Sequence, residues 1–461
     1  MDDLTAARRA STGASDELDA LDVALAGDLV TPDSEGYDDA RRVWNGMVNR
    51  YPAAIAYCES VPDVRAAVRT AREADLPASV RSGGHHVAGS CIAEAGLVVD
   101  CSRMDWVRVD PDERVATVGP GATWGDLDSA TTEFGLATPG GVVSDTGVAG
   151  LTLGGGTGYL SRKHGLAADN LVAADVLCAD GELRRASAER NADLFRALRG
   201  GDGGFGVVTA FEFDLHPVPD ELAVCNAWYP AERASELLAD FGAYYRDAPD
   251  ETLMAPYFGR IPDEYERGGD PGLCFFGTYA GDPEAGEDEL GRFRSADALA
   301  DESGRMAYTD LQSAFDSGFP HGRRYYWKSV YTDELTDELV ETLRERAAAA
   351  PGEGSSVVVW PMGGAVNRVG KDETAFRRRD AAFVCSIEAG WDDPMTNAEN
   401  VAWVRDTAGA LREAGAGGPI PNFEADTDDA AREDLYGEHA EFLAEVKDRY
   451  DPEGRFVGGR I

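Results

Sequence analysis

Positive charge is scarce in this chain. Lys and Arg number 43 against 84 Asp and Glu, giving a net charge of −41 over 461 residues. Lysine occurs only at Lys163, Lys328, Lys371 and Lys447. Such a surface repels polyanions, which argues against nucleic acid and anionic membranes as partners. Cysteine is sparse and scattered. Cys58, Cys91, Cys101, Cys178, Cys225, Cys274 and Cys385 are odd in number and form no C-x-x-C pair. That pattern fits reduced thiols in a cytoplasm, not a disulfide framework or a zinc site. No apolar run reaches about eighteen residues, so no membrane span is expected. Residues 1–19 hold no apolar core of a signal peptide, and a cytoplasmic location is expected.

A charge of this size self-repels in dilute salt. At molar salt the screening length falls to about 3 Å, which shortens the reach of the repulsion. The expectation is a protein adapted to high salt. A GC-rich genome, favouring Arg, Ala, Gly and Asp, is the other route to the same composition. The length predicts two or three domains and allows a large core. The hydrophobic share of 43% is ordinary for a globular protein.

Glycine, by contrast, is concentrated where it matters. Leu76-Pro77-Ala78-Ser79-Val80 reads as a short buried strand leading into Arg81-Ser82-Gly83-Gly84-His85-His86-Val87-Ala88-Gly89. Glycines in such a turn let the backbone approach a ligand closely, and inward N–H groups can hold a phosphate without a lysine. Alone, the stretch also reads as a β-turn with two surface histidines. A metal site from His85 and His86 is disfavoured, since adjacent residues rarely converge on one ion and no carboxylate cluster flanks them. A second glycine-rich stretch runs from Gly135 to Gly158. Its Gly154-Gly155-Gly156-Thr157-Gly158 lacks the G-x-G-x-x-G spacing and the leading strand of a Rossmann fingerprint.

The remaining pattern mixes short strands and helices. Helices are predicted over 39–48, 60–73, 123–134 and 193–199, and strands over 53–58, 97–101, 114–118, 170–178 and 207–215. Residues up to about 33 read as a helix and linker. Beyond His216-Pro217-Val218-Pro219, helices at 231–245, 335–350 and 397–414 alternate with strands at 273–279, 356–360 and 381–389. That combination predicts an α+β chain with an antiparallel sheet covered by helices. The acidic stretch from Gly281 to Glu289 reads as a solvated loop.

Taken together, these motifs resemble the FAD-linked oxidases typified by berberine bridge enzyme, within the vanillyl-alcohol-oxidase group. The resemblance rests on the two glycine stretches and on Arg162-Lys163-His164-Gly165-Leu166, Asp169-Asn170-Leu171, Asp193 to Gly201 and Gly204 to Thr209. It extends to Tyr436-Gly437 and to Val446 to Pro452, so it covers nearly the whole chain from about Gly27. It implies a two-part PCMH-type FAD-binding domain at 36–219, after an N-terminal helix and linker at 1–35. It further implies a substrate domain at 220–418 and a C-terminal segment at 419–461 that returns to the FAD domain. With the acidic charge, it points to a haloarchaeal member.

The resemblance also assigns roles. His85 corresponds to the histidine that bonds to the 8α-methyl carbon of the flavin; His86 has no such role among the relatives and reads as a structural or phosphate-side residue. Arg81, Ser82, Gly83, Gly84, Gly89, Gly147, Gly150, Gly154, Gly155, Gly156, Gly158 and Val208 are expected around FAD. Val143 replaces the cysteine through which many relatives form a second bond, so a single link through His85 is expected. Leu151 stands where plant members carry a histidine. Thr146 falls where a residue over the flavin controls oxygen access, and its size, close to valine, would permit oxygen.

The implied activity is hydride transfer from a small sugar, alcohol or secondary metabolite to flavin N5. O2 is the expected acceptor, and a quinone or other carrier is the rival. A flavin-binding protein without turnover is the alternative from another class. The base is less legible, because Ile420-Pro421-Asn422-Phe423 lacks the tyrosine of the relatives' Y-x-N-Y/F motif. Tyr325, Tyr326, Tyr436 and Glu388 are the candidates. Arg368 and Arg379 read as anion ligands or as partners of carboxylates. The tail from Arg455 to Ile461 lacks the asparagines that relatives present to the flavin.

The charge makes one prediction directly. The melting temperature should rise steeply from low to molar KCl, and a flat profile across that range would remove the high-salt reading.

Overall fold

A computed structural model describes residues 2–426 and 429–459. The glycine turn is carried by a small sheet in the strand order Leu29–Val30, Ala54–Tyr57, Leu97–Asp100, Ala78–Arg81. The last three strands run parallel. The connection between two of them is the helix Val61–Glu73, whose Val64, Ala67, Val68 and Ala71 are buried. Its spacing is the one the sequence predicts. The α+β fold therefore contains a parallel unit, its first connection the helix Val61–Glu73 and its second the glycine turn and the loop after it.

A second, antiparallel sheet of five strands follows, in the order Val107–Asp110, Val115–Val118, Val207–Asp214, Leu171–Leu177, Leu183–Ser187. The loop that holds the second glycine stretch packs beside it. Trp124, fully buried at the start of the helix Trp124–Thr132, lies against Gly140.

The rest of the chain builds one large antiparallel sheet. Its long strands are Glu221–Pro230, Pro271–Tyr279, Thr252–Arg260, Ser355–Pro361, Phe383–Trp391 and Arg324–Thr332, in that spatial order. The helices Ala234–Tyr244, Asp337–Ala348 and Asn397–Glu413 cover one face, with Leu238, Phe241, Leu339, Leu343, Val404 and Leu411 in the core. The opposite face packs Trp228, Phe276, Trp360 and Val384 against Tyr159, Leu160 and Leu166 of the glycine-rich half. Every residue of Phe383–Trp391 is buried, as a strand covered on both faces requires.

The tail returns to the first sheet. Phe456 bridges to Ala78, and the Val457 amide donates to the Ala78 carbonyl at 2.8 Å. Lys447 fixes this return: its ammonium donates to the carbonyls of Gly204 and Phe456 and pairs with the buried Asp451 at 2.7 Å.

Two expectations fail locally. The predicted helix over 39–48 is helical only at Tyr37–Ala40. Beyond it, the backbone is drawn into contacts with other segments: Trp44 N–H donates to Gly84 and Gly46 N–H to Arg323. The predicted loop over 281–289 is instead the helix Pro283–Leu290, capped by Asp282 and with Leu290 buried.

The two halves are locked by a buried ion pair. Arg379 makes two bonds of 2.7 Å to the carboxylate of Asp169, with the side chains only 4% and 6% exposed. Arg379 is thus a carboxylate partner, as is Arg368 with Asp250 at 2.7 Å. Removing one member of such a pair strands a buried charge, so Arg379→Met should cost about 3–5 kcal/mol. Denaturant unfolding in molar salt measures this. A loss below about 1 kcal/mol would mean that Asp169 is solvated.

Candidate active site

The strand Ala78–Arg81 ends in the turn, and its last side chain points inward. The Arg81 guanidinium pairs with the fully buried Asp100 and donates to Tyr57 Oη at 3.2 Å and to the Ala40 carbonyl. Arg81 therefore anchors the strand from beneath. Ser82 Oγ is likewise engaged, donating to the Pro120 carbonyl.

The next residue is where the two glycine stretches meet. A Cβ on Gly83 would lie 2.7 Å from the Gly147 nitrogen, and a Cβ on Gly147 would lie 2.7 Å from the Gly83 nitrogen. Neither backbone can yield, so only glycine permits this approach. Among the described residues, the amides of Gly83, Gly84 and His85 donate to no protein acceptor. A Cβ on Gly150 would meet no atom within 4 Å. The other glycines serve packing within the chain. A Cβ would meet Val48 at Gly89, Asn422 at Gly154, Phe376 at Gly155, Leu151 at Gly156 and the Gly140 carbonyl at Gly158. Asn422 ties the tail motif to this cradle, donating to the Leu151 carbonyl at 3.0 Å and accepting from Gly156 N–H at 3.1 Å.

The two histidines have separate settings. His86 Nδ1 accepts from Ala88 N–H at 3.1 Å, which places the proton on Nε2, 3.1 Å from the Pro421 carbonyl. It binds the turn to the tail. His85 stacks on Trp44 with ring centres 4.2 Å apart, and Trp44 also stacks on Tyr325 at 3.8 Å. His85 Nε2 lies 3.2 Å from Asp145 Oδ1, and His321 Nε2 hydrogen-bonds the other oxygen at 2.8 Å. His85 and His321 together hold the Asp145 carboxyl below its ordinary range, His85 contributing most. Val143 is buried within this loop, and Thr146 accepts through its carbonyl from Trp124 N–H at 3.0 Å. Val208 is buried on Val207–Asp214, beside an irregularity in its pairing with Leu171–Leu177.

The large sheet turns its other candidates toward or away from this cradle by strand alternation. On Arg324–Thr332, Tyr325 and Trp327 cluster with Trp44 and Val87 of the glycine half. Tyr326 points to the opposite face, among the covering helices, where its hydroxyl binds Asp426 and receives Arg405 Nε at 2.7 Å. Tyr436 is buried in the core of the five-stranded sheet. The structure thus brings Tyr325 to the site and leaves Tyr326 and Tyr436 outside it. Tyr325 is itself occupied, donating to the Pro320 carbonyl at 2.8 Å, and burial pushes its phenol up.

Glu388 pairs in register with Trp327 and so shares the cradle-facing side of the sheet. It is buried, accepts from Ser386 Oγ at 2.6 Å, and has no Lys or Arg within ion-pair distance among the described residues. Trp360 Nε1 supports the serine at 3.2 Å. Burial pushes the Glu388 carboxyl up to about 7. An uncompensated buried carboxyl is costly, and one on the cradle-facing side of the sheet is a candidate functional group. Trp44, Asn45, Asp145 and His321 also converge on this candidate site, and no sequence motif singles them out. Asn45 carries two segments at once, bonding the Val87 carbonyl and the Tyr325 backbone.

These features fit FAD: a glycine cradle with uncommitted amides, and buried Thr138 and Tyr159 hydroxyls that meet no partner among the described residues. A model of the FAD binding domain matches residues 52–187. An FAD-linked oxidoreductase of Dictyostelium discoideum is 30% identical over 451 residues, 95% of each chain. The chain belongs to this family of FAD-linked oxidoreductases. Its fold is that of the berberine-bridge type. The crystal structure of 6-hydroxy-D-nicotine oxidase from Arthrobacter nicotinovorans superposes with a TM-score of 0.85 at 26% identity, covering 95% of this chain and 98% of the other. The berberine-bridge-like protein 1 of Physcomitrella patens gives a TM-score of 0.86 at 23% identity, covering 95% and 97%. The protein is an FAD-dependent oxidoreductase with a PCMH-type fold. Among its described residues, no helix is long and apolar enough to cross a membrane.

Because the Gly83–Gly147 contact is backbone on backbone, Gly83→Ala should lower the rate at which protein made without the cofactor takes up added FAD by about tenfold or more. FAD content after gel filtration at successive times checks this. An unchanged rate would show that the two stretches can separate without loss of the cofactor site.

Proposed function

We propose that this FAD-linked oxidoreductase is an oxidase in which Glu388 takes a proton from a small organic substrate as a hydride leaves it. The observation that carries this reading is a buried carboxyl with no cation beside it among the described residues, on the sheet face that looks onto the glycine cradle. When bound, FAD supplies the hydride acceptor at N5. The chain supplies position, water exclusion and the proton acceptor. A proton acceptor works best with a pKa near the operating pH, and burial brings Glu388 to about 7. Tyr325 donates elsewhere, and Tyr326 lies behind the sheet.

Several supports define the rest of the reading. The 6-hydroxy-D-nicotine oxidase is named for a secondary metabolite. Solved neighbours that share the fold are named as chitooligosaccharide and carbohydrate oxidases. Dioxygen is the acceptor we favour, since Thr146 adds little bulk over valine. FAD is held by one covalent link through His85, because Val143 offers no thiol. The cofactor ligands are then the turn from Ser82 to His85 and the loop around Thr146, Gly147 and Gly150. The flavin half spans about 36–219, the substrate half 220–418, and the tail 419–461 completes the flavin half. Free thiols at all seven cysteines agree with a cytoplasmic location, and the acid excess with high salt.

Anaerobic mixing with a substrate should bleach the flavin band, and air should restore it with peroxide. Glu388 is active when deprotonated, so the reduction rate at saturating substrate should rise as pH passes upward through about 7 and be lost below it. Glu388→Gln should slow reduction by about 10²–10⁴ and abolish that rise. Stopped-flow traces with unchanged rate and pH profile would exclude Glu388 as the base.

A further inference from the structure

The grouping of His85, Asp145 and His321 takes no part in proton removal at Glu388. Asp145 sits between the two histidines, one from each half of the chain. His85 Nε2 and Asp145 Oδ1 lie 3.2 Å apart, both shielded from solvent, and among the described residues neither has another polar partner. They fall short of hydrogen-bond alignment here, yet a small rotation of either side chain would join them. Asp145 is the sole carboxylate within ion-pair distance of His85 among the described residues.

Both sides of this contact are fixed by their surroundings. Ser144 donates through its amide, at 2.8 Å, and its hydroxyl to Asp316, and its carbonyl accepts from Gly125 N–H at 2.8 Å. Thr146 is held by Trp124 on the other side. Asp145 therefore stands on a loop clamped before and after it. The His321 loop is clamped as well: Gly322 N–H donates to the Trp44 carbonyl at 2.9 Å, and Trp44 Nε1 donates to Phe319 at 2.8 Å. The same Trp44 ring stacks on His85.

We propose that Asp145 is a positioning residue for covalent attachment of the flavin. Its carboxylate holds the Nε2–H side of the His85 imidazole, and this leaves Nδ1 with the nucleophilic lone pair. His321 holds the second carboxylate oxygen and keeps it aimed. The proposal rests on the His85 tether proposed above. In the reaction, His85 Nδ1 forms a bond to the 8α carbon as one C–H bond there breaks. One proton leaves from that carbon and one from His85 Nε2, which Asp145 accepts. The two electrons of the C–H bond pass through the ring system to dioxygen, which takes up both protons as hydrogen peroxide. The imidazole ends neutral, and the oxidised cofactor is restored.

The test uses full-length protein made under riboflavin limitation, then mixed with FAD in air. Intact mass follows covalent attachment, and absorbance after gel filtration follows total FAD. Wild type should gain the mass of one FAD, and His85→Ala should keep the mass of the bare chain. Asp145→Asn and Asp145→Ala should bind FAD but attach it more slowly by about tenfold or more, within the ~10⁴ that a wrong tautomer costs a catalytic imidazole. Sodium formate should speed attachment in Asp145→Ala, whereas sodium chloride at equal strength should not. A merely structural aspartate would show no such rescue. Wild type without the added mass would sink the tether itself. A tethered wild type with Asp145→Asn attaching at the same rate would overturn only the role of Asp145, as would absence of formate rescue. If Asp145→Ala binds no FAD, the isosteric Asp145→Asn decides.

Discussion

The contact between the Gly83 and Gly147 backbones constrains everything around it. Two loops far apart in sequence are brought to a distance that no side chain could occupy. The strand Ala78–Arg81 sets one loop, and its Arg81 is spent on Asp100 to hold that strand in place. Trp124 and its helix set the other. What remains between them is a surface of amides and glycine, which suits a large, flat, anionic cofactor better than any cluster of side chains could.

Opposite this surface stands the large sheet, and its contribution follows from strand alternation. Tyr325, Trp327 and Glu388 share one side, while Tyr326 and Lys328 fall on the other with Asp426 and Glu424. A tyrosine pair in sequence thus separates into one residue at the site and one behind it. Burial pushes the Glu388 carboxyl up, and among the described residues no cation stands beside it to oppose this. That is an unfavourable arrangement for stability, and it makes sense where a proton must be taken up.

Much of the architecture was legible because it rests on local signals. The helix Val61–Glu73 announces itself through apolar spacing, and the turn at Gly83 through glycine density. The sheet with covering helices follows from alternating runs after Val218. What was not legible depends on contacts distant in sequence. Trp44 and Asn45 read as part of a helix, yet their bonding partners lie at Gly84, Val87, Phe319 and Tyr325. Glu388 was one of several candidates until register set it opposite Trp327. Asp145 lies within the second glycine stretch but no pattern singles it out, His321 lies in no motif, and only folding brings them to His85.

The central claim is that one cofactor lies between the glycine cradle and the Glu388 face of the sheet, joined to His85. A crystal structure of the protein purified with FAD tests it most directly. Continuous density is expected from the His85 ring to the isoalloxazine, with the ring system bounded by the Gly83–Gly147 loops on one side and by Trp327 and Glu388 on the other. An isoalloxazine facing away from Glu388, or a clear gap between it and His85, would contradict the account.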